Sequence, residues 1–302
     1  MDINFEYYKS FYYVAKYKNI TRAAAALGSS QPNVTRILKL LENQLGCRLF
    51  IREARGVKLT EKGERLYAHV EIACNHLLNA QEELGGNAVE GMGTVEIGAT
   101  ETALHLCLLE AIGNFKAEYP KIRIKVHNHT TPEILKCLVS GRLDFAVVTT
   151  PFEVPKAFQC ERILAFHELL AGGVQYSSLA KEKMQLGRLQ GYPWVGLGEG
   201  TATYEFYKKY FMEHNVEIGF DTEVATSDLL IPLICNNLGI GFVPETMAMP
   251  FVKKKKLIQI DLACELPYRE IMLISDRGRG KSRAADYFYQ YLKTGAANSH
   301  IL

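Results

Sequence analysis

The sequence lacks any long hydrophobic run. A membrane-spanning helix needs ~20 consecutive apolar residues, and the apolar stretches of this 302-residue chain are far shorter. The first residues, MDINFEYYKS, also lack the basic segment and the apolar core of an export signal. We therefore expect a cytoplasmic protein that makes no contact with a membrane.

Cysteines are few and follow no pairing pattern. The seven cysteines form an odd set, contain no CxxC motif and have no histidine at metal-ligand spacing. This argues against a disulfide framework and against a zinc site, and no metal or cofactor is predicted. We expect the cysteines to be small buried hydrophobes, because a thiol sensor would need two close, exposed thiols.

Length and charge indicate at least two parts. A chain of 302 residues suffices for two or three domains, and 48% apolar with 23% charged residues is typical of globular proteins. Residues 1–60 hold ten Lys and Arg against four Asp and Glu, whereas residues 61–302 hold 25 against 29. This asymmetry predicts an N-terminal module that binds a polyanion, joined to a body that does not.

The segment SSQPNVTRILKLLE, residues 29–42, predicts a helix with two different faces. Ser30 is suited to cap the helix, and Pro32 lies in the first turn, where a missing N–H costs little. Apolar side chains recur at helical spacing at Val34, Ile37, Leu38 and Leu41. An isolated stretch of this kind is most often an ordinary surface helix, so its neighbours decide its function.

The neighbouring residues predict a winged helix-turn-helix. A short helix at 22–27 ends at Gly28, so residues 29–42 become the second helix, whose start can enter a major groove. The stretch CRLFIREARGVKLTEKG then predicts two short strands, 49–52 and 57–60, around a turn at 54–56. Cationic side chains on this wing are placed to reach phosphates or the minor groove.

The run NITRAAAALGSSQPNVTRILKLLENQLGCRLFIREARGVKLTEKG resembles the winged helix-turn-helix of the LysR-type transcriptional regulators. The resemblance implies that Gln31, Pro32, Thr35 and Arg36 face DNA, with Arg52 and Arg55 on the wing. The full set of predicted DNA-binding residues is Arg22, Ser30, Gln31, Pro32, Asn33, Thr35, Arg36, Lys39, Arg52, Arg55 and Lys58.

Residues 61–91 predict a linker helix followed by a hinge. Spacings of four and three along the helix are those of a coiled-coil seam, although packing onto the chain's own body would need the same stripe. The resemblance favours pairing of two chains. The predicted dimerisation residues are Leu66, Val70, Ala73, Leu77 and Leu84, and the glycines of GGNAVEGMG, residues 85–93, predict the hinge.

Residues 92–302 predict an α/β body. Strand patterns at TVEIGAT, IRIKVHN and LDFAVVT alternate with helical patterns, which indicates a parallel sheet. The phrases FKAEYPKIRIKV, LVSGRLDFAVV and NNLGIGFVPE resemble the effector domain of the same family, which has two α/β lobes like those of periplasmic solute-binding proteins. The family's layout implies one lobe at about 92–162 and 269–297 and another at about 163–268.

Threonines mark the predicted effector site. Hydroxyls at strand ends and helix starts suit a carboxylate or another small organic anion, although threonine before a helix is also a common cap. No arginine or lysine lies in these loop stretches themselves, which leaves an anionic effector in doubt. The predicted residues are Thr100, Thr102, Thr130, Thr131, Thr149, Thr150, Thr201 and Thr203.

Three other functions compete with that of a regulator. The stretch DRGRGKS, residues 276–282, ends like a phosphate-binding loop, but Ser275 stands where that motif needs glycine. A solute-binding protein would need an export signal, and a purely architectural DNA binder would give the two-lobed body no task. The sequence therefore predicts a non-enzymatic, effector-controlled transcriptional regulator that binds an operator in double-stranded DNA, forms a dimer or tetramer, and contacts RNA polymerase.

Overall fold

A computed structural model of the protein describes residues 3–53, 56–84, 92–154 and 156–298. The chain divides into two compact units, Met1–Ala88 and Val89–Leu302, which are described separately below. Most of the predicted hinge and Arg55 of the predicted wing lie outside the described residues. No helix in the described ranges is long and apolar enough to cross a bilayer.

The first unit contains four helices and a two-stranded hairpin among its described residues. Each of the first three helices begins at a side-chain cap, supplied by Asn4, Asn19 and Ser30. Gly46 adopts a left-handed conformation and ends the third helix. The elements are α1 (Phe5–Tyr17), α2 (Ile20–Ala26), α3 (Gln31–Leu45), β1 (Phe50–Glu53), β2 (Gly56–Leu59) and α4 (Glu61–Leu84).

Glu42 and Gly63 allow the hairpin to pack against helices α3 and α4. Glu42 accepts hydrogen bonds from the backbone amides of Leu49 (2.7 Å) and Phe50 (3.2 Å), which holds the start of β1 against α3. Gly63 lies in the first turn of α4, where a Cβ atom would come within 2.2 Å of the Leu49 carbonyl oxygen. Glutamate and glycine at these positions therefore serve the packing of this unit.

We expect Gly63→Ala to destabilise the first unit. Replacing a helical glycine by alanine normally stabilises a helix by ~1 kcal/mol, but here the added methyl group would meet backbone and should instead cost about 1–3 kcal/mol. Gly113→Ala is the matched control, because Gly113 lies inside a helix of the second unit with open space around its Cβ position. Thermal unfolding of both variants checks the prediction, and equal stabilisation would contradict it.

The second unit contains nine strands and seven α-helices among its described residues. Its strands are β3 (Gly93–Ala99), β4 (Ile122–Asn128), β5 (Phe145–Thr149), β6 (Phe158–Gly173), β7 (Val195–Leu197), β8 (Thr222–Val224), β9 (Ile240–Pro244), β10 (Leu257–Ile260) and β11 (Tyr268–Asp276). Its helices are α5 (Glu101–Ala103), α6 (Leu109–Glu118), α7 (Thr131–Val139), α8 (Ala202–Glu213), α9 (Leu230–Cys235), α10 (Glu245–Lys253) and α11 (Arg283–Asn298). A π-helical turn at Leu104–Leu108 joins α5 to α6.

The main sheet is mixed rather than purely parallel. The predicted parallel arrangement holds for β4, β3 and β5, but β11 pairs antiparallel with β5 and β6 pairs antiparallel with β11. The 16-residue strand β6 was not predicted, because FQCERILAFHELLAGG mixes charged residues into its first half and shows no clean alternation. An antiparallel β11 places its first residues at the edge where the parallel strands end.

Strand β6 joins two lobes. Its first part, up to His167, pairs with β11 and belongs to lobe I, which also contains β3, β4, β5 and the buried face of α11. Its last part, from Glu168, pairs with β9 and β10 and belongs to lobe II. A second apolar core, containing Trp194, Phe211 and Phe242, fills lobe II. The chain thus passes between the lobes in the middle of β6 and again before β11.

Asp144 makes the stability of the second unit depend on pH. Its carboxylate accepts a hydrogen bond from the Glu96 amide (2.8 Å), and burial raises its pKa from 3.8 to about 6. Since the folded state binds this proton more tightly than the unfolded state, the free energy of unfolding falls as the pH rises from about 4 to about 6.

We expect Asp144→Asn to remove this part of the pH dependence. The free energy of unfolding of the wild type should fall relative to that of the variant by up to about 3 kcal/mol across this window. Urea unfolding of both chains at about pH 4.5 and about pH 7 measures the difference. Parallel pH profiles for the two chains would contradict the assignment.

Candidate DNA interface and interlobe site

The first turns of α3 present polar side chains to solvent. Ser30 is exposed and its hydroxyl accepts a hydrogen bond from the Asn33 amide (3.4 Å), while half-buried Thr35 donates to the Gln31 carbonyl oxygen (2.9 Å). The other predicted residues of this helix, all exposed, are Gln31, Pro32, Asn33, Arg36 and Lys39. The opposite face, with Val34, Leu38 and Leu41, is buried in the core of the unit.

Hydrogen bonds between neighbours orient part of this polar face. Arg36 Nη2 donates to Asn33 Oδ1 (3.1 Å), and Asn33 Nδ2 donates to Ser29 Oγ (3.0 Å). The side chains of Gln31 and Lys39 form no hydrogen bond or ion pair with any described residue. Asn33 and Arg36 are therefore held in place by neighbouring side chains, whereas Gln31 and Lys39 make no such bonds within the described ranges. Side chains of these types can contact the edges of DNA bases.

The hairpin of β1 and β2, which follows α3 in the sequence, carries exposed cationic side chains. Arg52 lies on β1 and Lys58 on β2, and both side chains are exposed. Arg22 is exposed on α2, and its backbone amide donates to the Asn19 cap. Arg55 belongs to the predicted set but lies outside the described residues. These charges are suited to phosphate contacts, which position a protein on DNA without reading its sequence.

The predicted seam on α4 is divided by the structure. Val70 is only 7% exposed and, with half-buried Leu66, packs into the core of its own unit. Ala73 is exposed, and Leu77 keeps 48% of its surface exposed. The side chain of Leu84 lies outside the described residues. Packing onto the chain's own body thus accounts for Leu66 and Val70, whereas Ala73 and Leu77 remain exposed.

Arg269 lies where the two lobes meet. The residue is only 2% exposed, and its Nη2 atom donates to Thr149 Oγ1 (3.3 Å) at the end of β5 and to Thr203 Oγ1 (3.0 Å) at the start of α8. Its Nε atom donates to the Thr150 carbonyl oxygen (2.7 Å), and its Nη1 atom donates to Glu168 Oε1 (3.1 Å). One guanidinium therefore binds both lobes and the strand between them.

Other predicted threonines are caps or structural contacts. Thr100 and Thr201 cap α5 and α8, accepting from the Ala103 amide (3.4 Å) and the Tyr204 amide (3.1 Å). Thr130 forms a capping box with Glu133 at the start of α7. The Thr150 hydroxyl accepts from the Glu270 amide, and Thr131 is buried within the first turn of α7.

Two further contacts cross between the lobes. The hydroxyls of Thr102 and Ser227 lie 3.4 Å apart, and His105 Nε2 lies 2.8 Å from Asp228 Oδ1. Burial raises the pKa of Glu101, and the nearby Asp228 adds to the shift, whereas His105 opposes it. Residues 102–105 and the turn at Ser227–Leu229 before α9 thus form a second polar contact between the lobes.

Two cavities adjoin the threonines. One of about 630 Å³ is lined by Thr130 and Thr201, with three carboxylates from Glu133, Glu199 and Glu223 and one ammonium from Lys136. Another of about 480 Å³ is mostly apolar. Its lining includes Thr131, Pro151 and Ala202. The rim of the first cavity is therefore acidic, contrary to what an anionic effector would need.

Sequence reasoning missed Arg269 and Glu168. Both lie inside strands, whereas the loop stretches that hold the threonines contain no arginine or lysine. The antiparallel direction of β11 explains the difference, because its register places Ile271 opposite Thr149 and so brings the strand's start to the end of β5. Burial raises the pKa of Glu168, and the Arg269 charge opposes this shift.

The other candidate chemistries gain no support from the described residues. Arg279 in the loop after β11 donates to the Gly141 carbonyl oxygen (2.7 Å), and Lys281 lies 4.0 Å from the centre of the Tyr289 ring. These cations are therefore engaged within the chain. Burial raises the pKa of the Cys107 thiol to about 12, which disfavours the reactive thiolate. Within the described ranges, no group of three or more potential ligands is arranged to hold a metal ion.

Comparison with known proteins identifies the family. The model for bacterial regulatory helix-turn-helix proteins of the lysR family matches residues 5–64, and the model for the LysR substrate binding domain matches residues 89–297. The HTH-type transcriptional regulator YfeR of Shigella flexneri is 24% identical over 97% of this chain and 94% of its own length.

Solved structures show the same fold. A full-length OxyR variant from Pseudomonas aeruginosa has a TM-score of 0.68 at 17% identity, covering 98% of this chain and 95% of that one. Full-length CbnR complexed with its target DNA has a TM-score of 0.68 at 18% identity, covering 96% of this chain and 99% of that one. The chain therefore belongs to the LysR family and is a transcriptional regulator with an N-terminal helix-turn-helix and a C-terminal domain for a small-molecule effector.

Proposed function

We propose that the N-terminal half of α3 reads an operator in the major groove of double-stranded DNA. The observation that carries this proposal is the exposed row of Gln31, Asn33 and Arg36 on a helix whose other face is buried in the core. Arginine and glutamine side chains recognise guanine and adenine edges through paired hydrogen bonds. Arg52, Arg55 and Lys58 on the wing and Arg22 on α2 supply phosphate contacts that set the register.

Two chains pair through the exposed part of α4, giving a dimer or a dimer of dimers. Ala73 and Leu77 supply the exposed apolar surface for this contact, and Leu84 extends the same pattern in the sequence. A paired regulator would contact two operator half-sites about one helical turn apart. In this account residues 1–60 bind DNA, 61–91 link and pair, and 92–302 sense the effector. The protein acts in the cytoplasm and contacts RNA polymerase.

The effector binds between the two lobes. The contacts of Arg269 with Thr203 and of Thr102 with Ser227 join opposite lobes through single hydrogen bonds. A ligand that takes over some of these donors and acceptors binds one lobe arrangement better than another. Differential affinity of this kind is what shifts a conformational equilibrium and so changes operator binding.

The test is to couple ligand binding to DNA binding in the full chain. An operator is first isolated from genomic fragments by repeated selection on the immobilised protein. Metabolites are then screened for an increase in melting temperature, because a ligand that binds only the folded state stabilises it. We expect at least one stabilising metabolite to change operator affinity. The proposal fails if no fragment is enriched, or if stabilising metabolites leave operator affinity unchanged.

A further inference from the structure

Glu168 and Arg269 are the only charged side chains that are fully buried in the described part of the chain. Glu168 is 3% exposed and Arg269 is 2% exposed, and their Oε1 and Nη1 atoms lie 3.1 Å apart. Arg269 uses its other nitrogen atoms on Thr149, Thr150 and Thr203. By contrast, the second carboxylate oxygen of Glu168, Oε2, is buried without any hydrogen-bond partner.

The ion pair of Glu168 and Arg269 is not expected to stabilise the fold. Burying two charges costs several kcal/mol per ion, and replacing such a pair with apolar residues is often neutral or stabilising. A buried carboxylate oxygen that accepts no hydrogen bond adds a further cost. Glu168 Oε2 is thus an unused buried acceptor, to which a ligand can supply the missing donor.

Two threonines that contact Arg269 are next in sequence to residues that line a cavity. Thr150 and Thr203 both contact Arg269, and the residues next to them in sequence, Pro151 and Ala202, line the cavity of about 480 Å³. Thr201, one residue further, lines the acidic cavity of about 630 Å³. Breaking the hydrogen bond between Arg269 and Thr203 would free a donor of the guanidinium. The threonine hydroxyls thus occupy positions that the polar atoms of a ligand can take.

Resting on the proposed function, we propose that the effector is a small zwitterion of the amino-acid class. Its carboxylate accepts hydrogen bonds from Arg269 Nη2 in place of the hydroxyls of Thr149 and Thr203. Its ammonium donates to Glu168 Oε2. Because the charges of Glu168 and Arg269 sum to zero, a ligand with a single charge would leave one buried charge uncompensated, whereas a zwitterion compensates both.

The cavity rim agrees with this assignment. Three carboxylates and one ammonium line the larger cavity, so its field attracts an ammonium group and repels a ligand with net negative charge. A simple carboxylic acid would meet this repulsion and would not satisfy Glu168. An amine without a carboxylate would offer no acceptor to Arg269 Nη2, which would keep its bonds to the hydroxyls of Thr149 and Thr203. The charge pattern therefore discriminates against both partial ligands.

The experiment screens the full-length protein against the proteinogenic L-amino acids. Melting temperature is measured first, and operator affinity is then titrated with each stabilising compound. For each such compound, the acid that lacks the ammonium and the amine that lacks the carboxylate are tested beside it. We expect each partial ligand to bind about 100-fold more weakly, since an unpaired buried charge is left behind.

Glu168→Gln tests whether the charge of Glu168 takes part in ligand binding, because a purely structural role would not change which ligand is preferred. The amide keeps the volume and one acceptor for Arg269 but removes the negative charge, so the site becomes cationic. Affinity for the amino acid should fall about 100-fold, and the deaminated acid should become the better ligand of the two. Glu270→Gln is the matched control, because Glu270 pairs with Arg162 on the same two strands but keeps 29% of its side chain exposed. This control should bind the amino acid as the wild type does.

A double variant, Glu168→Leu with Arg269→Met, keeps the test decisive if Glu168→Gln does not fold, because apolar replacement of both charges is tolerated. It should show no response to any amino acid. An amino-acid response equal to that of the wild type in either variant would overturn the proposal. The absence of any stabilising amino acid would also overturn it. Control of operator binding by a simple acid or amine alone would overturn it too, but would leave the proposed function standing. Failure to find an operator would instead overturn the proposed function.

Discussion

Replacing Gln31 and Arg36 together with alanine should leave a folded protein that distinguishes its operator from unrelated DNA much less well than the wild type does. Both side chains are exposed and lie opposite the buried face of α3, so their removal opens no cavity. A good base contact contributes about 1–3 kcal/mol of discrimination, and the loss of two should weaken operator binding by about 30-fold or more. Fluorescence anisotropy with operator and scrambled duplexes measures both affinities.

A wing variant is the matched control for this experiment. Lys58→Ala removes one exposed cation on β2 and should weaken binding to all duplexes about equally, while lowering the slope of affinity against salt by about one. Unchanged discrimination in the α3 variant would show that α3 is not the reading element. A loss confined to the operator in Lys58→Ala would contradict its phosphate-binding role.

Replacing Leu77 with glutamate should break the association of two chains. Leu77 is 48% exposed on α4 and follows Val70 by seven residues, which is the repeat of a coiled-coil seam. In a symmetric pair the variant would place two carboxylates in one apolar seam, which should raise the dissociation constant by about 100-fold or more. Sedimentation velocity over a range of protein concentrations measures the change.

Ala68→Glu is the control for the pairing experiment. Ala68 is exposed and lies nine residues before Leu77, which places it on the opposite side of the helix because each residue advances by about 100°. This variant should associate like the wild type. If Leu77→Glu also sediments like the wild type, the exposed part of α4 is not the main contact between chains.

The sequence predicted the local features of the first unit well. The cap at Ser30, the glycine after α2 and the apolar spacing of α3 act over a few residues, so they can be recognised without knowing the fold. The roles of the apolar residues of α4 could not be predicted in this way, because some of them pack into the unit's own core and others remain exposed. Val70 packs into the unit's own core and Leu77 does not, and only tertiary structure separates these roles.

The interlobe site was predicted in part. Hydroxyl residues at strand ends were visible in the sequence, but Thr100 and Thr201 use their hydroxyls as helix caps, while Thr149 and Thr203 converge on Arg269. The partner of these two threonines lies more than 60 residues from either in sequence. Strand direction alone brings it there, and strand direction is a non-local property that periodicity does not reveal.

The ratio of operator affinity to non-operator affinity is the direct test of sequence-specific DNA binding under the control of an effector. The measurement uses the full-length protein at fixed salt, with a selected operator duplex and a scrambled duplex of equal length. A sequence-specific regulator of this kind should bind its operator at least ~1,000-fold more tightly than unrelated DNA, and a metabolite that stabilises the protein should change that ratio. Equal affinity for the two duplexes would contradict the account, and so would a ratio that no stabilising metabolite alters.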